Sequence, residues 1–91
     1  MKIIIYTKTS CPYCLMAKEY LTERGIPFTE EVYDDDLTRQ TMYDDLGLAA
    51  SQRAVPQIFA VDDMNITRIG GYRDLLPWGD RIAVGNFNEE F

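Results

Sequence analysis

The chain has 91 residues, 46% of them hydrophobic, and a formal net charge of −6. That length gives one domain with a modest core, and the acidic balance without a basic stripe excludes non-specific nucleic-acid binding. Histidine is absent, which removes Ser-His-Asp and Cys-His catalysis and every His-ligated metal motif.

Residues 3–6 are a continuous apolar, β-branched run, the pattern of a strand covered on both faces. The run is too short and wrongly flanked for a signal peptide, and no apolar stretch reaches membrane-spanning length. The expected compartment is therefore the cytoplasm, where thiols are kept reduced. Residues 7–10 read as a polar turn. Pro12 suits a first helical position, where its missing N–H costs nothing, and this makes Cys11 the N-cap. Leu15, Met16, Tyr20 and Leu21 recur at helical spacing, with Lys18, Glu19, Glu23 and Arg24 on the other face. Gly25 stops that helix and Pro27 prevents its resumption.

Residues 28–33 read as a second strand, parallel to the first because a helix connects them. Asp34, Asp35, Asp36, Asp44 and Asp45 read as solvated charges. Residues 37–46 read as a second helix, with Leu37, Met42 and Leu46 inward and Gly47 at its end. A loop over 48–54 leads to a third strand, 57–61, preceded by Pro56. Residues 62–65 are turn-like, and 66–69 complete an antiparallel hairpin that Gly70 and Gly71 break. A short third helix begins at Tyr72 and is limited by Pro77. Trp78 reads as a packing anchor. Residues 79–91 carry no clear period and are expected as a less ordered C-terminal extension of a single domain, 1–91. The order predicts an α/β fold, a mixed four-stranded sheet flanked by three helices.

The only two cysteines, Cys11 and Cys14, fall where the first strand gives way to the first helix. Ligand sites in open α/β sheets lie at such strand ends. The first helical turn has unpartnered N–H groups and a partial positive charge. A thiolate on Cys11 would accept from those groups, and its pKa should fall. Lys8 would add a cation across the turn. Cys14, one turn on and less solvated, should keep its proton longer. Cys11 thus reads as the attacking and Cys14 as the resolving thiol. Half of a zinc site is the alternative, but the chain lacks two further ligands, so no metal is expected unless two chains share one.

The run from Tyr6 to Cys14 (YTKTSCPYC), the run Ala54-Val55-Pro56-Gln57-Ile58-Phe59, and Gly70-Gly71-Tyr72 with Asp74-Leu75 resemble a dithiol glutaredoxin of the CPYC type, in order and spacing over residues 1 to 76. The longer loop between Gly47 and Ala54 resembles that of bacteriophage glutaredoxins, which donate electrons to ribonucleotide reductase. The resemblance implies a thioredoxin-like fold and an enzyme, a glutathione-disulfide oxidoreductase. It would reduce protein disulfides and glutathione mixed disulfides as a monomer in the cytoplasm, the host's if the chain is phage-encoded. It also implies a cis Pro56 facing the cysteines and a Val55 backbone that pairs with bound glutathione, flanked by Tyr13 and Lys8. Gly71, Tyr72, Arg73 and Asp74 would hold the γ-glutamyl end, and Lys8 or Arg39 the other carboxylate.

Three departures accompany the match: Ala54 replaces a common threonine, Arg73 replaces a common acidic or small residue, and Pro77 shortens the last helix. The second partly resembles a redoxin class reduced by thioredoxin reductase, which is the alternative electron source. A glutathione-ligated iron–sulfur carrier and a non-enzymatic binding subunit are the alternatives from other classes.

Overall fold

A computed structural model describes residues 2–81, with side chains through Gly79. Its elements are β1 (Lys2–Thr7), α1 (Pro12–Glu23), β2 (Phe28–Val32), α2 (Asp36–Asp45), β3 (Gln57–Val61), β4 (Ile66–Gly70) and α3 (Tyr72–Arg81), with a 3-10 turn, Ala50–Gln52, before β3. The sheet order is β2-β1-β3-β4. β1 runs parallel to β2 with Ile5 opposite Glu30, and antiparallel to β3 with Ile5 opposite Ile58. β3 and β4 form the antiparallel hairpin, with a register irregularity between Ile58 and Phe59. The mixed four-stranded sheet with three helices is the architecture expected from the order of elements.

Strand alternation divides the core in two. Ile3 and Ile5 of β1 and Ile58 and Ala60 of β3 meet Ala17 and Leu21 of α1 and Leu75 of α3. Tyr6 and Phe59 turn the other way and touch edge to face, centroids 5.8 Å apart. On that side Met42, Tyr43 and Leu48 pack with Tyr6, Tyr33, Leu46 and Val55. Ile5, Leu21, Ile58 and Leu75 are completely buried, each worth roughly 1.5–3 kcal/mol of burial. Trp78 packs against the first cluster, as a packing anchor should.

Three expectations are corrected. The buried face of α1 is Cys14, Ala17 and Leu21, whereas Leu15 and Met16 are exposed. The small residues Cys14 and Ala17 let the helix approach β1, and that close contact outweighs the apolar area of the two larger side chains. In α2, Leu37 is 79% exposed. The inward stripe is instead Arg39, Met42, Tyr43 and Leu46, spaced i, i+3, i+4, i+7. Finally, α3 continues through Pro77 to Arg81. Proline there removes a single N–H, at a cost of about 3 kcal/mol. Packing on α1 offsets it: Leu75 and Gly79 are buried on either side, and the Tyr20 hydroxyl donates to the Leu76 carbonyl at 3.1 Å. A β-carbon at Gly79 would come within 2.6 Å of the Tyr20 ring. Residues 79–81 are thus helical, and the rest of the expected C-terminal extension lies outside the described residues.

Thr7, expected in the turn, ends β1 as a buried residue and needs an acceptor there. Its hydroxyl donates to Glu30 Oε2 at 2.6 Å, and Lys18 Nζ reaches the same oxygen at 2.9 Å. The Thr7 hydroxyl first, and the Lys18 ammonium second, hold the Glu30 carboxyl below the usual glutamate range. A carboxyl with a depressed folded pKa stabilises the fold above its ordinary value of 4.5, and that stabilisation is lost as pH falls through the folded pKa. Glu30→Gln should therefore have a lower urea midpoint than the parent at neutral pH, and the gap should close below pH 4.5. Midpoints measured against pH check this; a gap independent of pH would remove the ionised carboxylate from the account.

Candidate active site

β1 delivers the chain to Lys8, Thr9 and Ser10 at the carboxyl end of the sheet. Ser10 adopts φ 61°, the left-handed region that few non-glycine residues occupy. Cys11 follows in an extended conformation, φ −109° and ψ 106°, and caps α1, with Pro12 at the first helical position. Its Sγ accepts the Cys14 N–H at 3.2 Å, and its carbonyl accepts the Leu15 N–H at 3.1 Å. Cys14 is 2% exposed, while Cys11 is half-buried. The two form a disulfide with Cα atoms 5.2 Å apart, so this is the oxidised protein. One sulfur thus faces a helix-start amide and solvent, and the other faces the core.

The Asp34–Asp36 run is more specific than solvated charge. Asp34 accepts from the Thr9 N–H at 2.6 Å and the Thr9 hydroxyl at 2.7 Å, which holds its carboxyl below the usual aspartate range. Asp35 caps α2 by accepting the Thr38 N–H at 2.9 Å, and Asp36 pairs with Arg39. Arg39 also donates to the Tyr33 carbonyl at 2.9 Å and to the Asp34 carbonyl at 3.4 Å. The loop before the cysteines is therefore tied to the β2–α2 connection. Sequence reasoning missed this bracing, because a charge run carries no mark of which residues it will meet.

Across from the disulfide, the Val55–Pro56 peptide is cis. The Val55 carbonyl oxygen lies 3.8 Å from Cys11 Sγ, and the Val55 side chain packs on the α2 cluster. The preceding loop is fixed from within. Gln52 Oε1 accepts the Ala49 N–H at 2.9 Å, Arg53 Nε donates to the Leu48 carbonyl at 3.1 Å, and Arg53 pairs with Asp44 at 2.8 Å. Gln57 Nε2 donates to the carbonyls of Gln52 and Ala54 at 2.6 and 2.7 Å.

A recess of about 430 Å³ opens on the β4 side of this loop. Tyr13, Val55, Pro56, Gly71, Tyr72, Arg73 and Asp74 all line it, as does Arg68. The Tyr13 and Tyr72 rings stack with centroids 6.2 Å apart. Gly70, at φ 119°, lets Asp74 fold back onto the Gly71 N–H, which its Oδ2 accepts at 3.0 Å. Lys8 lies elsewhere, in a recess of about 570 Å³ on the β2 side with Cys11, Leu15, Lys18 and Val32. Arg39 lines neither recess. Sequence reasoning missed Gln57 and Arg68; the one available signal was a glutamine opening an otherwise apolar strand. Among the described residues no cluster of His, Cys, Asp and Glu could hold a metal ion, and no helix is long and apolar enough to cross a membrane.

Comparison with known proteins agrees with this geometry. A family model described as glutaredoxin matches residues 3–64. Glutaredoxin 1 of Rickettsia prowazekii is 38% identical over 73 residues, which are 80% of this chain and 72% of that protein. The crystal structure of glutaredoxin 1 from Francisella tularensis, complexed with cacodylate, superposes with a TM-score of 0.70 at 34% identity, covering 89% of this chain and 94% of that one. A buckwheat glutaredoxin–glutathione complex superposes with a TM-score of 0.64, covering 87% of this chain and 68% of that one; at 20% identity it speaks for the fold alone. The fold is thioredoxin-like.

Proposed function

The chain belongs to the glutaredoxin family of redox proteins, and from that premise we propose that it is a glutathione-dependent thiol–disulfide oxidoreductase in which Cys11 attacks and Cys14 resolves. The observation that carries the reading is the asymmetry of the pair. The Cys11 sulfur meets a helix-start N–H at 3.2 Å and is half-buried, while Cys14 is 2% exposed. In the reduced protein the same amide would favour a Cys11 thiolate.

The thiolate attacks one sulfur of a substrate disulfide, forming a mixed disulfide and releasing the other sulfur as a thiolate that takes up a proton. Cys14 then loses its proton and attacks the Cys11 sulfur. The second substrate thiol leaves, so the substrate has gained two electrons and two protons, and the dithiol that supplied them is left oxidised as the Cys11–Cys14 bridge. One glutathione thiolate opens that bridge at Cys11, and a second removes the first as glutathione disulfide. The β4-side recess would hold the glutathionyl group: the Val55 backbone pairs with it as an added strand, Tyr13 and Tyr72 flank it, and Gly71, Arg73 and Asp74 meet its γ-glutamyl end. Lys8, on the β2 side, supports the thiolate as a nearby cation. Protein disulfides, that of ribonucleotide reductase among them, are the macromolecular substrates, reduced by a cytoplasmic monomer. Support for ribonucleotide reductase is the resemblance of the loop between Gly47 and Ala54.

Turnover of hydroxyethyl disulfide with and without glutathione plus its reductase, against thioredoxin reductase, tests the reading. Glutathione-dependent turnover is expected. Turnover driven by thioredoxin reductase alone would assign the chain to the other electron source, and no turnover with either would end the enzymatic reading.

A further inference from the structure

We infer that Arg68 recognises a carboxylate of the thiol co-substrate in the β4-side recess, aimed there by the buried amide of Gln57; the inference rests on the reading of that recess as a glutathione site. Gln57 is 2% exposed. Its Nε2 donates to the carbonyls of Gln52 and Ala54 at 2.6 and 2.7 Å, which uses both amide hydrogens and fixes the amide's orientation. The Oε1 atom must then face away from that loop, toward β4, where it accepts from Arg68 Nε at 3.0 Å. One of the five N–H groups of the guanidinium is thereby spent and its plane is set, while both Nη groups keep the fork that matches a carboxylate.

Among the described residues no carboxylate pairs with Arg68: the ion pairs there join Lys18 to Glu30, Arg39 to Asp36 and Arg53 to Asp44. Asp74, the acid of the recess, is turned to the Gly71 N–H. This half-buried arginine thus lines a recess of about 430 Å³ with no acidic partner among the described residues. A partly desolvated cation without a counter-charge is unfavourable, and a ligand carboxylate relieves it. Of the other cations offered for the co-substrate, Arg73 lines the same recess but is exposed, and Lys8 and Arg39 are placed elsewhere. Lys8 lines the β2-side recess, and the Arg39 guanidinium is engaged by the Tyr33 and Asp34 carbonyls and by Asp36.

The test compares glutathione with its diethyl ester, which keeps the thiol and masks both carboxylates, as reductants of hydroxyethyl disulfide. The parent protein should show a lower KM for glutathione than for the diester. In Arg68→Gln that preference should fall about tenfold, the loss of one charge-assisted contact. Gln57→Leu, which leaves the charge but frees it, should lose preference in the same direction while also unfolding at lower temperature. An Arg68→Gln protein that keeps the parent's preference, or whose KM rises equally for both reductants, overturns the inference and leaves the enzymatic reading standing. A parent that glutathione does not turn over at all overturns both, and shows this before any residue is replaced.

Discussion

Cys11→Ser is expected to abolish reduction of both protein disulfides and glutathione mixed disulfides, to the level of uncatalysed exchange. Cys14→Ser is expected to retain the second activity and lose most of the first. The difference follows from position in the first turn of α1. Serine keeps the cap, because its oxygen can accept the Cys14 N–H as the sulfur does. It supplies no thiolate at neutral pH, however, so the fold survives while the nucleophile does not. Cys14 is needed only where the mixed disulfide must be resolved internally; a glutathionyl group on Cys11 can be removed by a second glutathione. Assays with a glutathionylated peptide and a protein disulfide separate the cases. Equal loss of both activities in Cys14→Ser would contradict the division of roles. Iodoacetamide alkylation of the reduced protein against pH adds a second check: the Cys11 midpoint should lie well below about 8.5, the value of free cysteine. A midpoint at that value would detach the reactivity from the helix start.

The next largest effect is expected from Gly70→Ala. The residue sits at φ 119°, where a side chain is strained whatever the space. Its β-carbon would also lie 2.8 Å from Asp74 Cγ. Relief requires Asp74 to leave the Gly71 N–H, which strips α3 of a bond at its first turn. The combined cost is roughly 2 kcal/mol, or about 10 °C in Tm for a chain of this size. Gly71→Ala is the control, since its β-carbon meets only the Pro56 carbonyl oxygen, at 3.8 Å. Thermal unfolding by circular dichroism should show Gly70→Ala well below the parent and Gly71→Ala close to it. Equal Tm values for the two would mean that the backbone turn into α3 is not as described.

What could be read without coordinates was whatever depends on local chemistry. The β-branched run of residues 3–6 became β1, Pro12 set the start of α1, and Gly25 and Gly47 ended their helices at φ 70° and 69°. The position of Cys11 as a cap followed from the same local rule. What depends on distant partners was not legible. Leu37 looked inward by hydropathy, but the orientation of α2 is set by Arg39 and Tyr43, one bonded to a loop and the other packed under the sheet. Pro77 looked like a stop because the packing of Leu75 and Gly79 on α1 has no local signature. Gln57 and Arg68 are eleven positions apart on neighbouring strands, and only the β3–β4 register makes them neighbours. The cis Pro56 was implied by family resemblance alone.

The bonds from Thr9 to the Asp34 carboxylate, and from Arg39 to the Asp34 carbonyl, bear on protein engineering. Residues 8–14 are a tempting cassette to graft into another scaffold, being short, contiguous and self-explanatory. A transplant confined to them would carry the sulfurs but leave behind the clasp, some 25 residues downstream, that seats the segment ahead of them. A working graft has to import the acidic corner after the second strand together with its arginine, so the smallest portable unit is two separate stretches of chain.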